Sequence, residues 1–275
     1  MADRRIDVLD HGYLSLVDAW GSDERIVEAA RMSTGKGFLG WGPKCQACGD
    51  SFDAPERSCP TPAAGREFVD AGRGGHLFIE PGDEKLLRFL WDNAHATPFE
   101  MAGLTVEVQA PIFVFREWHR HRVPFGYNEM SSRYAPLPDV NYIPSVERLM
   151  IGADGKNKQA GTTKGAEALT LAGAERFREV LATVYAQQQS TYEWALGAGV
   201  PKELARVHLP VGRYSRMRAT GNLRGWLGFL KLRLAPNAQY EIREYARALA
   251  AIVAEAFPWT WAVARASVGA EEVGT

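Results

Sequence analysis

Residues 120–134 read Arg-His-Arg-Val-Pro-Phe-Gly-Tyr-Asn-Glu-Met-Ser-Ser-Arg-Tyr. Arg120 and Arg122 flank His121 and offer a set of donors suited to a phosphate or pyrophosphate, which arginine can grip with two parallel hydrogen bonds. Glu129, Ser131, Ser132 and Arg133 follow with a carboxylate, two hydroxyls and a further guanidinium. That set suits the base, sugar and phosphate of a nucleotide. Arg-His-Arg alone reads as a solvated helix end with surface ion pairs. With the second half so close behind, a nucleotide site is the favoured reading.

Upstream of this stretch, Ile112–Arg122 has helical spacing. Before it, Leu104–Gln109 alternates as a strand with Leu104, Val106 and Val108 on one face, and Pro111 stops it. Asp83–His95 carries Leu86, Leu87, Leu90 and Trp91 at helical spacing. His95-Ala-Thr97-Pro-Phe-Glu100 then reads as a helix end passing into a strand, with a His and a Glu about a Thr-Pro turn. Nearer the N-terminus, a short strand at Ile6–Leu9 and a loop precede a helix from Ser22 to Met32. Asp23 and Glu24 sit in its first turn, where negative charge suits the helix dipole.

Downstream, residues 150–165 are Gly-, Lys- and Thr-rich and read as a loop. Ala166–Ala198 is a long amphipathic run, and Pro201 marks a new helix start. Leu223–Leu234 and Gln239–Phe257 are two more helices, the last stopped by Pro258. The predicted class is α+β, a mixed α/β protein with one small sheet flanked by long helices. Residues 1–275 form a single domain, interrupted at about 36–80 by a Gly-, Pro- and Cys-rich insertion that is irregular or a lid.

A 46% hydrophobic content supports a real core, and a net charge of −1 argues against a polycation built for nucleic acid. The charge is uneven, however. Lys202–Arg247 holds ten Lys/Arg against three Asp/Glu, which points to a focused anion site. Within it, Arg206, Asn222, Arg224 and Arg233 stand out. Arg224 and Arg233 fall on different sides of one helix, so they serve two anion sites or two ligands rather than one small group.

No run approaches the roughly 20 apolar residues that span a bilayer. The charged N-terminus lacks an apolar signal core, so no membrane association and a cytoplasmic location are expected. Cys45, Cys48 and Cys59 are a poor disulfide framework and fit a reducing compartment. Cys45-x2-Cys48 has the form of half a zinc knuckle, but Pro60, Thr61 and Pro62 stand where a fourth ligand belongs. Asp53 or His76 would have to complete it, and no metal is assigned. Neither a GxGxxG turn nor a GxxxxGK[ST] loop is present, so side chains hold any nucleotide.

The 120–134 stretch resembles the signature of the flavin-dependent thymidylate synthases, Arg-His-Arg, a spacer, then Ser. The likeness extends to Ala30-Arg-Met-Ser33, His95-Ala-Thr-Pro-Phe-Glu100 and Ala110-Pro-Ile-Phe-Val-Phe-Arg116. Further on, Ala205-Arg206-x-x-Leu209-Pro210, Asn222-x-Arg224, Phe229-Leu-x-Leu-Arg233 and Ala238-Gln239-x-Glu241-Ile242 complete it. It covers most of the chain outside about 36–80 and 150–165. The resemblance implies a mixed α/β homotetramer with active sites shared between subunits. It implies reductive methylation of dUMP to dTMP, with methylenetetrahydrofolate as carbon donor and FAD, reduced by NADPH, as hydride source. By matching position, Ser33, Thr97, Arg120, His121, Arg122, Glu129, Asn222 and Arg224 would contact FAD. Glu117, Arg120, Glu129, Ser131, Ser132, Arg133, Arg206 and Arg233 would contact dUMP, and His95 would lie near flavin and folate. This chain departs from the pattern in four ways. Its spacer is one residue longer, Glu117 stands for a frequent Gln, Gly228 for a frequent Asn, and Met101 for a second His.

Uracil C5 is a weak nucleophile and must be made electron-rich. All three cysteines lie in the insertion, so no thiolate is assigned to that task. Electrostatic polarisation with hydride from a reduced flavin is the favoured route. Catalytic roles then fall to Arg233, stabilising charge at a pyrimidine carbonyl, to Ser131 as a positioning group, and to His95. The alternatives are another nucleotide-modifying flavoenzyme on the same scaffold and a nucleic-acid-binding protein. The carboxylates inside the basic motifs argue against the second.

Overall fold

The computed structural model describes residues 4–41, 44–45, 78–79, 82–153, 161–162 and 169–270. Its centre is a five-stranded sheet in the order β1-β2-β5-β9-β6, with every neighbouring pair antiparallel. These strands are β1 (Arg5–Val8), β2 (Gly12–Trp20), β5 (Gly103–Pro111), β6 (Gly126–Glu129) and β9 (Tyr214–Asn222). Two short ladders complete the set, β3 (Lys44–Cys45) with β4 (Phe78–Ile79) and β7 (Gly152–Ala153) with β8 (Gly161–Thr162). The helices are α1 (Asp23–Arg31), α2 (Asp83–Asp92), α3 (Ile112–Trp118), α4 (Val146–Leu149), α5 (Leu171–Gly197), α6 (Lys202–Ala205), α7 (Leu223–Arg233), α8 (Tyr240–Ala256) and α9 (Pro258–Ala264).

The expected class holds, but three strands of the five-stranded sheet are additions to the reading above, and the β7–β8 ladder falls in the stretch 150–165 read as loop. β2 occupies a stretch read as loop, because a register shift between Leu16 and Asp18 interrupts its alternation. β6 lies in the spacer between Arg-His-Arg and Ser131, to which no element was assigned above. β9 was hidden by its own arginines. Ser215, Met217 and Ala219 point inward and are buried, while Arg216, Arg218 and Thr220 point outward. Part of the basic stretch is therefore the polar face of a strand. There Arg218 lies opposite Glu107, and Thr220 donates to or accepts from Thr105 at 2.9 Å. The helix predicted to run to Arg122 ends at Trp118, which leaves Arg120-His-Arg122 on a turn. The predicted Ala166 start moves to Leu171, with Thr170 capping the helix by accepting from Gly173 N. Pro258 ends one helix and also opens α9.

Leu14, Leu104, Val106, Val108, Met217 and Ala219 form the inner face of the sheet, and α8 covers it. Ile242, Tyr245, Ala246, Leu249, Ile252 and Val253 recur every three or four residues on α8 and are buried. Tyr245 donates its hydroxyl to the Gln109 carbonyl at 2.6 Å, and so satisfies its polar end against the sheet. Gly12 admits that hydroxyl, since a Cβ there would stand 1.9 Å from it. Asp23 is buried and accepts from Trp259 N at 2.8 Å and Thr260 N at 3.0 Å, which ties α1 to the start of α9. Burial, the largest influence, raises its carboxyl above the ordinary range.

The base of the insertion is anchored. Asp83, at the start of α2, accepts from Arg31, Leu39 N and Gly40 N. The β3–β4 ladder pairs its two ends. Cys48, Cys59, Asp53 and His76 lie outside the described residues. Among the described residues no helix is long and apolar enough to cross a membrane.

Leu249 has no exposed surface, so Leu249→Ala removes packed volume without relief from solvent. The expected destabilisation is about 2–5 kcal/mol. It is read as a lower urea midpoint at unchanged slope.

Candidate active site

The predicted site residues fall into three groups. The first lines an open cavity of about 750 Å³. Glu129 ends β6, Ser131, Ser132 and Arg133 occupy the turn after it, and Arg206 follows α6. Segments far apart in sequence therefore converge on one cleft. Ser132 is buried and its Oγ accepts from Arg206 Nη1 at 3.0 Å, which fixes the arginine at the cavity wall. Ser131 Oγ accepts from Arg133 N at 3.3 Å, a local turn bond, and no described base reaches the hydroxyl. The geometry fits a positioning hydroxyl and not an activated nucleophile.

The cavity also recruits Arg116, His119 and Ser215, none of which was singled out from sequence. Arg116 and His119 come from the cavity-facing side of α3 and its C-terminal cap. Ser215 belongs to β9, and its buried Oγ has no hydrogen-bond partner among the described residues. A buried hydroxyl without a partner, on a wall of the cavity, is suited to a ligand's polar group. The alternation of β9 is the signal that would have found it.

The second group does not line this cavity. Arg233, in the last turn of α7, donates from Nη1 to Glu117 Oε2 at 2.6 Å, from Nη2 to the Glu117 carbonyl at 3.0 Å, and from Nε to His121 Nε2 at 2.9 Å. His121 accepts at Nε2, so its neutral ring carries the proton on Nδ1. Burial, then the charge of Arg233, takes its pKa down to about 4. Tyr127 donates to the His121 carbonyl at 2.6 Å and holds the turn. Arg116 and Glu117 are consecutive, about 100° apart on a helix, and so reach different groups.

The third group gathers where the Thr97–Glu100 turn packs on both α1 and α7. This brings Thr97 near Asn222 and Arg224 at the start of α7, while Ser33 follows α1 and His95 lies just before the turn. Asn222 caps α7, its Oδ1 accepting from Gly225 N at 2.9 Å. Arg224 pairs with Glu100 at 2.5 Å on the surface. Arg224 and Arg233 thus reach separate partners. Arg120 and Arg122 are exposed and have no ion pair among the described residues. Gly225 lets the signature turn approach α7, because a Cβ there would stand 2.5 Å from Pro124 Cδ. The described residues contain no cluster of His, Cys, Asp and Glu that would hold a metal ion.

Comparison with known proteins bears on this arrangement. The family model for thymidylate synthase complementing protein matches residues 15–259. The flavin-dependent thymidylate synthase of Thermotoga neapolitana is 34% identical over 94% of this chain and 92% of its own length. That of Thermus thermophilus is 36% identical over 94% of this chain and 77% of its own. Among solved structures, the UMP/dUMP methylase PolB from Streptomyces cacaoi superposes in two forms. With bound 5-Br UMP the TM-score is 0.71 at 25% identity, covering 96% of this chain and 98% of that one. With bound 5-Br dUMP it is 0.70 at 28% identity, covering 95% and 97%. The chain belongs to the family of thymidylate synthase complementing proteins, the flavin-dependent thymidylate synthases.

Proposed function

We propose that this protein is a flavin-dependent thymidylate synthase that methylates dUMP to dTMP. The observation that carries the reading is the cavity where Glu129, Ser131, Ser132, Arg133 and Arg206 converge. Arg133 and Arg206 suit a nucleotide phosphate, and the serine hydroxyls and Glu129 suit sugar and base. Methylenetetrahydrofolate is the carbon donor and NADPH the reductant.

FAD fits the other polar groups. Arg120 and Arg122 have donors not engaged in ion pairs among the described residues, and the α7 N-terminus, with Arg224 in its first turn, adds a positive end suited to a diphosphate. Thr97 and Asn222 lie beside that end, and Ser33 and His95 come from the segments that flank the Thr97–Glu100 turn. When bound, FAD supplies the hydride that reduces the transferred carbon to a methyl group. Arg233 polarises a pyrimidine carbonyl, so that C5 becomes electron-rich without a cysteine. Glu117 and neutral His121 hold that guanidinium in place. Ser131 orients the nucleotide, and His95 borders flavin and folate.

Arg233 and Ser131 lie in different groups of one chain. That separation supports a homotetramer whose sites combine residues of neighbouring protomers. The separate binding of a ribonucleotide and a deoxyribonucleotide analogue by the PolB neighbour favours one second reading, methylation of UMP beside dUMP.

The visible spectrum of the FAD-loaded protein, followed while dUMP, UMP or dCMP is added, tests the assignment. A shifted flavin band with dUMP alone is the expected result. An equal response to UMP supports the second reading, and no response to either uridine nucleotide overturns both. Arg233→Ala is expected to lower turnover by roughly 10²–10³-fold with flavin still bound. Unchanged turnover would remove Arg233 from the chemistry.

His121 also predicts a pH effect on stability. The unfolded chain protonates this histidine near its ordinary 6.5, whereas the fold holds it neutral to about 4. Between those values the unfolded state binds more protons, so stability falls as pH drops from 6.5 toward 4. For a half-buried ring the loss is on the order of 1 kcal/mol after screening. Urea midpoints at pH 7 and pH 5 are expected to differ less in His121→Gln than in the unaltered protein.

A further inference from the structure

A second cavity, of about 740 Å³, is lined by β1, the segment from Tyr142 to Arg148, α5 and α8. It shares no lining residue with the cavity that holds Arg206, and none of its residues has a role in the nucleotide or flavin reading. Its volume is that of a small-molecule site. Ile6, Val8, Ile143, Ala248 and Ala251 give it apolar surface, and Arg148, Arg178 and Arg247 give it positive charge.

Three carboxylates also line it, Asp7, Asp10 and Glu244, so the charges balance by count. They do not balance by pairing. Asp7 accepts from Nε of Arg5, outside the cavity, at 3.0 Å. Asp10 accepts from Ile143 N at 3.0 Å and from the Tyr214 hydroxyl. Glu244 accepts from Arg247 at 2.6 Å. Arg178, by contrast, is half-buried and has no hydrogen bond or ion pair among the described residues. Glu147 of α4 feels its charge without pairing with it.

Arg148 is held in place. Its Nε donates to Glu241 Oε1 at 2.8 Å, and Tyr142 donates to the same oxygen at 3.2 Å. Glu241 is 3% exposed, so one buried carboxylate fixes two wall residues. The Tyr240 ring lies 5.2 Å from the same guanidinium. With Nε committed, the two Nη nitrogens have no hydrogen-bond partner among the described residues. A guanidinium pinned in this way is pre-organised to donate to an anion. Glu241 offsets its charge, so Arg148 supplies directed donors and Arg178 the net positive charge.

We propose that this cavity binds a phosphate monoester, with the phosphate between Arg148 and Arg178 and the organic body on the apolar wall. A phosphate can meet two guanidinium groups at once with its three terminal oxygens, whereas one bidentate arginine already occupies both oxygens of a carboxylate. The volume and the apolar residues exceed what a bare phosphate needs.

Calorimetric titration of the whole protein with phenyl phosphate tests the site. Arg206→Glu removes a cation from the first cavity, so binding that survives it belongs elsewhere. One binding event is expected to survive Arg206→Glu and to weaken roughly tenfold or more when Arg178→Glu is added. No event in Arg206→Glu, or an equal one in the double variant, overturns the proposal. Arg178→Glu alone is expected to keep the dUMP-dependent flavin shift, since Arg178 has no described partner to lose. Loss of that shift would overturn the independence of the two cavities. Ala251→Leu narrows the apolar wall and leaves every arginine in place. It is expected to weaken phenyl phosphate and not inorganic phosphate. Equal effects on both would overturn the place given to the organic body.

Discussion

The pairing of β5 with β9 organises the molecule. It runs unbroken from Gly103 opposite Asn222 to Pro111 opposite Tyr214. At one end of this two-strand unit stand the Thr97–Glu100 turn and the α7 N-terminus. At the other, α3 leaves β5 and the approach to β9 passes Pro210 and Val211. β6 then pairs with the outer edge of β9 and carries Glu129 to the cavity. A slip of one residue would turn Met217 and Ala219 outward and bring Arg216 and Arg218 into the core. Burying unpaired guanidinium groups is costly, so the inward and outward assignment is strongly enforced.

The same frame explains why the polar groups differ in character. Around Arg233 the chain satisfies its own charges, with Glu117 and His121 taking up the guanidinium donors. Among the described residues, the Ser215 hydroxyl inside the cavity has no partner, and Arg120 and Arg122 on the signature turn have no ion pairs. The first arrangement holds a charge at a set position. The second leaves polar capacity for another molecule. A fold with all such groups mutually satisfied would be more self-contained and less able to bind an anion.

Much of this was legible in the sequence, and what was not has physical causes. The signature residues declared their chemistry by type and order, and the helices by apolar spacing. β9 was not legible because a strand with arginines at alternate positions reads as a basic segment until its buried neighbours are known. β2 was obscured by a bulge. The grouping of site residues was hidden for a related reason. Arg116 and Glu117 are adjacent in sequence, but only the packing of α3 shows that one faces the cavity and the other Arg233. The insertion chemistry of Cys45, Cys48 and Cys59 stays as read from sequence, since Cys48 and Cys59 lie outside the described residues.

The β3–β4 ladder bears on how such an insertion is accommodated. β2 and β5 are neighbours in the sheet, and the chain between them must leave and return. The entropy of closing such an excursion grows only with the logarithm of its length, about 0.6 kcal/mol per doubling. Lys44–Cys45 paired with Phe78–Ile79 shortens the effective path further, because the two ends meet before the chain reaches α2. Asp83 then fastens the base to Arg31 and to the backbone at Leu39 and Gly40. For the sheet, the ladder and the Asp83 anchor fix where the chain leaves and returns, however many residues lie between Cys45 and Phe78. Their number and composition are free to change through evolution with little effect on the register of the strands that build the site.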